Sequence, residues 1–307
     1  MNILVTGGAG FIGSHVADAY LSAGHSVLVL DDLSSGSKEN VPSEAKFFQV
    51  DIRDDETLAQ VFGGQRIEIV NHHAAQMDVR KSVDDPVFDA SVNIVGSLNL
   101  LELSLKHRVR KFIFASTGGA IYGEQESFPA DEQHPLRPLS PYGITKLAVE
   151  QYLYYYGQVH GLSYVCLRYG NVYGPRQNPY GEAGVVSIFA DKMLKLEQPI
   201  IHGDGNQTRD YVYVDDAVRA NVLSLECPHS DVFNIGSGVE TDVNIIFQKL
   251  KSITNAPCAE KHGPRKKGEQ LRSVLSYRKI CSMLGWSPQV NIDEGLRRTV
   301  AFFSQKR

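Results

Sequence analysis

The first 168 residues repeat one unit: a short apolar run, a turn, then a longer stretch whose apolar positions recur every three or four residues. Residues 2–6, 26–30, 46–50, 67–71, 111–115 and 163–168 are the short runs and predict strands. Residues 11–23, closed by Gly24, carry helical spacing, as do 86–107, opened by Pro86, and 140–160. Strands separated by helices imply βαβ units, a parallel sheet and right-handed crossovers.

Past residue 168 the pattern breaks. Residues 169–211 are rich in Gly, Pro, Asn and Gln, with one helical stretch near 185–196. Residues 215–225 (helix) and 232–235 (strand) read as a return to the first unit, while 242–253, 277–284 and 294–303 read as small helices of a second lobe. No internal repeat interrupts this. The division expected is one domain from 1–170 with 212–240, and a smaller mixed lobe from 171–211 with 241–307. Lobes interleaved in this way share a cleft, where ligands usually sit.

Composition narrows the function classes. Apolar residues make up 42% and charged residues 21%, as in ordinary globular proteins. Lys and Arg total 31 against 35 Asp and Glu, a formal charge of −4, which argues against nucleic-acid or membrane-surface partners. No run approaches the roughly 18 apolar residues of a membrane helix. The chain enters a glycine-rich turn directly after residue 6, without a basic segment, so no signal peptide is expected. Cys166, Cys227, Cys258 and Cys281 lack metal-ligand spacing. They read as small apolar residues of a reduced, cytoplasmic chain with no metal site.

Gly7, Gly10 and Gly13 punctuate the turn between the first strand and the first helix, together with Phe11 and Ile12. The first glycine permits the tight turn, the second lets backbone approach a pyrophosphate, and the third lets helix and strand pack closely. The helix start then offers free N–H groups and a positive dipole end to phosphate. The alternative is an ordinary strand–helix turn, but the strand before and the helix after supply the required context. The second strand ends in Asp31 and Asp32, with Asp31 18 residues past Gly13. A carboxylate there accepts from adenosine ribose hydroxyls and repels a 2′-phosphate, which favours NAD over NADP. Asp31 suits this better, since Asp32 also reads as a solvated loop residue. Asp51 and Ile52, just past the third strand, would flank an adenine or belong to the cap of a helix over 54–62.

Tyr142 and Lys146 lie four apart on the 140–160 helix and so share a face. A neighbouring ammonium and a cationic nicotinamide would favour the phenolate, which could take a proton from a sugar hydroxyl. The spacing alone means little in a chain this rich in Tyr and Lys, and its plain reading is a packed ring beside a snorkelling lysine. Its value comes from following the fifth strand in a chain that opens with a dinucleotide turn. At the end of that strand Ser116 and Thr117 offer hydroxyls to a ligand crevice. Thr117 suits the oxygen that alternates between alcohol and ketone, with Ser116 nearer the cofactor; either could instead stabilise the turn.

Taken together these residues resemble the extended short-chain dehydrogenase/reductase superfamily, nearest its UDP-glucose 4-epimerase family, over essentially the whole chain. The marks are residues 6–13, 31–36, 73–76, Asn93, 116–123, 140–146, 168–175, 203–205, 209–216 and 234–236. The resemblance implies an α/β, Rossmann-type doubly wound parallel sheet with a smaller mixed C-terminal lobe. It implies bound NAD, a UDP-sugar substrate and inversion at C4 through a 4-keto sugar. Tyr142 would move the proton, Thr117 hold the oxygen and Lys146 also bond the nicotinamide ribose. Ser34, Ser35, Gly36, Ala74, Ala75, Gln76, Asn93, Tyr169 and Val172 would join the cofactor site. Asn171, Val185, Val186, His202 and Arg209 would face the nucleotide sugar. Arg209 alternatively pairs with Asp210 or Asp215. A phosphate-binding arginine expected near residues 261–272 is absent at its usual place, leaving Lys266 or Arg272 for that role on what otherwise reads as a solvated charged face. Ser273 stands where the family uses a bulky residue to exclude N-acetyl groups, so N-acetylated sugars are expected to fit. A homodimer through helices 86–107 and 140–160 is implied as well.

Related enzymes of the superfamily are the competing readings. A 4,6-dehydratase carries an Asp–Glu pair after the strand-end threonine, and a decarboxylase a nearby Glu; Gly118 and Gly119 stand there instead. A UDP-glucuronate epimerase would need a further cationic or hydroxyl partner, which the sequence does not identify. A non-catalytic NAD-binding regulator would tend to lack the Tyr or the Lys.

Overall fold

A computed structural model describes residues 1–180, 184–265 and 270–305. The first half runs β1 (Asn2–Thr6), α1 (Phe11–Ser22), β2 (Ser26–Asp31), β3 (Lys46–Gln49), α2 (Asp55–Gly64), β4 (Ile69–His72), α3 (Val79–Asp84), α4 (Pro86–Ala90), α5 (Gly96–Lys106), β5 (Lys111–Thr117), α6 (Gly118–Ile121), α7 (Pro141–His160) and β6 (Ser163–Tyr169). The second half adds β7 (Asn171–Tyr173), α8 (Val185–Leu194), β8 (Ile201–His202), β9 (Thr208–Tyr213), α9 (Val214–Ser224), β10 (Asp231–Ile235), β11 (Glu240–Asp242), α10 (Val243–Thr254), β12 (His262–Gly263), α11 (Arg278–Leu284) and α12 (Ile292–Gln305).

Seven parallel strands form the large sheet in the order β10-β6-β5-β4-β1-β2-β3. The strand order reverses between β1 and β4, and ligands of open α/β sheets bind outside the strand ends at that point. This is the α/β, Rossmann-type doubly wound sheet the sequence pattern predicts. Two buried clusters cover its faces. Leu4, Leu28, Val70, Phe112 and Cys166 point to one, and Ile3, Val5, Ile69, Ile113 and Val165 to the other, by the strand alternation. Strands buried on both faces read as continuous apolar runs, which is why they were visible in the sequence.

The smaller lobe holds a mixed sheet, β11-β9-β7, with β9 antiparallel to β11 and parallel to β7. Its core gathers α8, α10 and α12 around Phe189, Phe247 and Leu296. Residues near the C-terminus also return to the large sheet. Ile280 and Trp286 lie in the cluster beneath it, and the Trp286 indole donates to Asp216 O at 2.9 Å.

The stretch 86–107 is a single helical run, but Ser91–Val95 within it is π-helical. Such a bulge shifts the facing of side chains and often marks a functional position. Asn93 sits in it. The 140–160 helix is capped as its sequence predicts: Ser140 Oγ accepts from Gly143 N at 3.1 Å, Pro141 occupies the first turn and Gly161 closes it at φ +73°.

Candidate active site

The turn after β1 is built from close contacts. Gly7 has φ +67°, and a Cβ there would lie 2.5 Å from Ala74 N. A Cβ on Gly13 would lie 2.3 Å from Gly7 O, so helix and turn touch only because that atom is missing. A Cβ on Gly10 would meet nothing of the chain nearer than Gly7 O at 3.1 Å, so one side of that residue is open. No side chain caps α1 at Gly10, leaving the first-turn amides around Phe11, Ile12 and Gly13 without a side-chain acceptor. Such a donor set fits a dinucleotide pyrophosphate.

Asp31 ends β2 beside this turn, buried, and its carboxylate accepts from Ala9 N (3.0 Å) and Leu33 N (2.8 Å). Burial pushes its carboxyl up from the ordinary range, against those two hydrogen bonds. Asp32 is exposed and accepts from both N and Oγ of Ser34. Ser35 is exposed, and Gly36 lies against Ala9, where a Cβ would be 2.9 Å from Ala9 C.

Several expected contacts are arranged differently. Asp54, not Asp51, caps α2. Asp51 binds Arg53 instead, with Nη2–Oδ2 at 2.5 Å, and that hydrogen bond holds the Asp51 carboxyl below its ordinary range. The Ile52 side chain turns into the core against Gly96, so only its backbone can face a ligand. Ser116 Oγ donates to the buried Glu150 Oε1 at 2.5 Å, turning away from the crevice. Val186 is buried in the core of the smaller lobe, with Val185 packed beside it. His202 is exposed and lies 3.2 Å from Pro264 O through Nδ1.

Past β4, Ala74 and Ala75 lead into Gln76, whose backbone exchanges a pair of hydrogen bonds with the Asn93 amide, N to Oδ1 at 2.8 Å and Nδ2 to O at 2.9 Å. The Tyr169 ring is stacked on His73, with 14° between planes, and its hydroxyl accepts from Asn221 Nδ2 at 2.7 Å. Val172 O accepts from Gln177 Nε2.

At the strand ends Tyr142, Lys146 and Thr117 come together. Thr117 stands close enough to the Tyr142 side chain to favour its ionised form. Lys146 Nζ donates to Ala115 O at 2.8 Å and stands 5.9 Å from the Tyr142 ring centroid. A Cβ built on Gly119 would lie 3.7 Å from Asn171 Oδ1 and 3.9 Å from Thr117 Oγ1, so those two polar groups border one spot.

The expected phenolate depends on the ammonium together with a cationic nicotinamide, and the protein's own groups also act on the pair. Burial, and then Asp89, hold the Tyr142 phenol well above its ordinary value; Thr117 opposes them. Burial brings Lys146 down to about 8, against the pull of Asp89 and Glu150. The chain's own groups thus favour the neutral phenol.

Toward the smaller lobe, Arg209 Nη1 donates to Thr208 O at 2.8 Å. Neither acidic neighbour pairs with it: Asp210 accepts from Ser237, Gly238 and Leu275, and Asp215 pairs with Arg298. Arg272 lays both Nε and Nη2 on Glu240 (2.9 and 2.7 Å) and stacks 3.7 Å from the Phe128 ring centroid. Lys266 lies outside the described residues. Among those residues no cluster of His, Cys, Asp or Glu could hold a metal ion. No described helix is long and apolar enough to cross a membrane.

Sequence reasoning overlooked two buried acids beside the pair, Asp89 and Glu150. A signal was available: Asp89 and Asn93, and Lys146 and Glu150, are polar residues four apart on otherwise apolar helix faces.

A dinucleotide turn at a topological switch point, facing a Tyr–Lys pair and a strand-end hydroxyl, defines a nicotinamide-dependent enzyme acting on an alcohol. The sequence pattern of the NAD dependent epimerase/dehydratase family matches residues 3–236. A UDP-glucose 4-epimerase from Mycolicibacterium smegmatis is 42% identical over 312 residues, covering 100% of this chain and 99% of that one. The crystal structure of a UDP-glucose 4-epimerase with UDP-glucose from Thermotoga maritima superposes with a TM-score of 0.98 at 52% identity, covering 100% and 99% of the two chains. A Thermus thermophilus UDP-glucose 4-epimerase in complex with NAD gives 0.94 at 46% identity, covering 99% of each. The chain belongs to the NAD dependent epimerase/dehydratase family.

Proposed function

We propose that this protein catalyses the reversible C4 epimerisation of a UDP-hexose, interconverting UDP-glucose and UDP-galactose through a 4-keto sugar with NAD as its cofactor. The observation that carries this is the meeting of Tyr142 with Thr117 at the end of β5, with Lys146 one turn further along α7 and its Nζ 5.9 Å from the Tyr142 ring centroid. NAD, when bound, would supply the hydride acceptor and donor and a positive charge favouring the phenolate. Tyr142 Oη takes the proton of the 4-hydroxyl and later returns it. Thr117 Oγ1 holds the same oxygen in both its alcohol and ketone forms. Lys146, tethered at Ala115 O, keeps further N–H groups for the nicotinamide ribose. Asn171 and Arg209 are the phosphate-facing donors, to which Arg272 would add only by leaving Glu240.

Position 118 supports epimerisation over dehydration. A Cβ on Gly118 would lie 2.5 Å from Leu275 Cδ1, so a longer side chain there would have to displace Leu275, and the acidic pair of a dehydratase is absent. The relatives bound to UDP-glucose and to NAD support the substrate and the cofactor. Ser273, small and buried, supports admission of UDP-N-acetylhexosamines as well. The same proposal places the protein in the cytoplasm, in keeping with four free cysteines, and makes it a homodimer. It also assigns 1–170 with 212–240 to NAD and 171–211 with 241–307 to the nucleotide sugar, apart from the stretch that packs on the large sheet at Ile280 and Trp286.

Purified protein incubated with UDP-galactose, without added NAD, is expected to form UDP-glucose, read by proton NMR of the anomeric signals. A 4-keto-6-deoxy product, or no change with or without added NAD, overturns the reading. Loss of UDP-N-acetylglucosamine turnover alone would remove only the N-acetyl extension.

A further inference from the structure

Asp89 is fully buried in the short helix α4. Its Oδ1 accepts from Gln76 Nε2 (2.8 Å) and Asn93 Nδ2 (3.1 Å), and its Oδ2 from Thr145 Oγ1 (2.8 Å). All three donors are neutral, and among the described residues no Lys or Arg forms an ion pair with it. A buried carboxylate without a cation in contact is costly to keep, and its charge acts on whatever lies near.

What lies near is the reacting pair. Thr145 sits between Tyr142 and Lys146 on α7, and its hydroxyl is also 3.0 Å from Tyr142 O. Asn93 Nδ2 reaches Thr145 Oγ1 as well, at 3.1 Å. One carboxylate thus joins the α7 turn that carries the chemistry to the Gln76 segment and to the π-helical turn at Asn93.

We propose that Asp89 is a positioning residue for Tyr142 and Lys146: its carboxylate, hydrogen-bonded to Thr145 between them, fixes this turn of α7 against Gln76 and Asn93. This rests on the epimerase reading above and assigns the residue that readies its acid–base pair.

The other charged or titratable groups around the pair do not duplicate this. Glu150 of α7 is matched by Arg168 of β6, with Nη2–Oε2 at 2.6 Å. His72, which ends β4, and His73 after it are held neutral by burial and by Lys146. Cys166 of β6 is held as a thiol by burial. On α3, Arg80, Lys81 and Asp84 make no pair with Asp89, and Lys81 instead lies over the Phe88 ring. On α5, Glu102 is taken by the Tyr156 hydroxyl further along α7.

The charge has a definite sign of effect. It opposes ionisation of Tyr142 and favours the charged form of Lys146. Removing it should lower both, moving the whole bell-shaped pH profile to lower pH. Asp89→Asn is nearly isosteric, and the Thr145 hydroxyl can then donate to Tyr142 O while accepting from the new amide.

The test compares wild type and Asp89→Asn as holoenzymes on UDP-galactose across pH. Both limbs of the kcat profile are expected about one pH unit lower in the variant. Superimposable profiles from a folded variant overturn the proposal. Wild-type turnover decides the epimerase reading itself, independently of that shift. The 13Cζ resonance of Tyr142, identified by its loss in Tyr142→Phe, reads the same displacement without turnover. Should Asp89→Asn not fold, Thr145→Val removes the tether but leaves the charge. There kcat is expected to fall about tenfold at the optimum with cofactor affinity retained; an unchanged kcat overturns the proposal.

Discussion

Tyr142 has to gain and lose a proton near neutral pH, and its own surroundings resist the loss. Burial and Asp89 both hold the phenol protonated, while Thr117 alone among its neighbours favours the anion. This makes the hydroxyl the single group whose removal stops proton transfer without disturbing the fold. Tyr142→Phe should lower kcat by about a hundredfold to ten-thousandfold while NAD still binds, checked by turnover and by cofactor fluorescence. Lys146 sets the other limit. Burial brings it to about 8, so its ammonium is lost as pH rises through that value. kcat/KM should therefore decline above about pH 8, and a profile flat to pH 10 would mean that the ammonium is not needed. Tyr142, Lys146 and Thr117 were legible in the sequence because a helical spacing and a strand end bring them together locally. Asp89 left only its spacing of four from Asn93 as a sign, since Gln76 and Thr145 reach it only in the folded chain.

Helix α7 and strands β5 and β6 are joined behind the site by a buried polar network. Ser116, Glu150, Arg168 and Tyr122 form a chain that ends on Asn234, with the Tyr122 hydroxyl donating to Asn234 Oδ1 at 2.7 Å. The Arg168–Glu150 pair is almost wholly removed from solvent, with side-chain exposures of 5% and 3%. Removing one partner strands a buried charge. Glu150→Gln should lower stability by about 3–5 kcal/mol in urea denaturation; a loss under about 1 kcal/mol would mean that Arg168 finds another partner. Buried strands of the large sheet announce themselves as apolar runs, so their positions were readable to within two residues. The smaller sheet was not. β9 carries Arg209 and Asp210 side by side, and Asp210 is tolerated at full burial only because Ser237, Gly238 and Leu275 supply its hydrogen bonds from distant parts of the chain. The π-helical turn likewise depends on the Asn93 contacts rather than on residue propensities.

The strand order follows from right-handed crossovers that reverse once, so the crevice at the β1–β4 switch point was implied by pattern alone. A cleft shared by the two lobes was implied as well, but the contacts made near residue 275 were hidden in the sequence. Residues near 275 return across more than a hundred positions to bridge Ala130 and to press Leu275 on Gly118, a contact no local pattern encodes. The outer face of the large domain carries the remaining expectation. Val87 and Val95, on the helical run through α4, are 78% and 50% exposed, and Tyr152, Tyr155 and Val159 share one face of α7 at spacings of three and four. An apolar stripe of this kind on two adjacent helices suits burial against a copy of itself, because a two-fold axis would pair four helices and cover both stripes. The chain should therefore run at twice the mass of one protomer in light scattering. Val159→Glu, which places a carboxylate at the end of that exposed stripe, should shift it toward the monomer without altering the Tyr142 site. A monomeric mass for the unaltered protein at micromolar concentration would rule out the dimer. An unchanged dimer in the variant would place the interface on another face of the molecule.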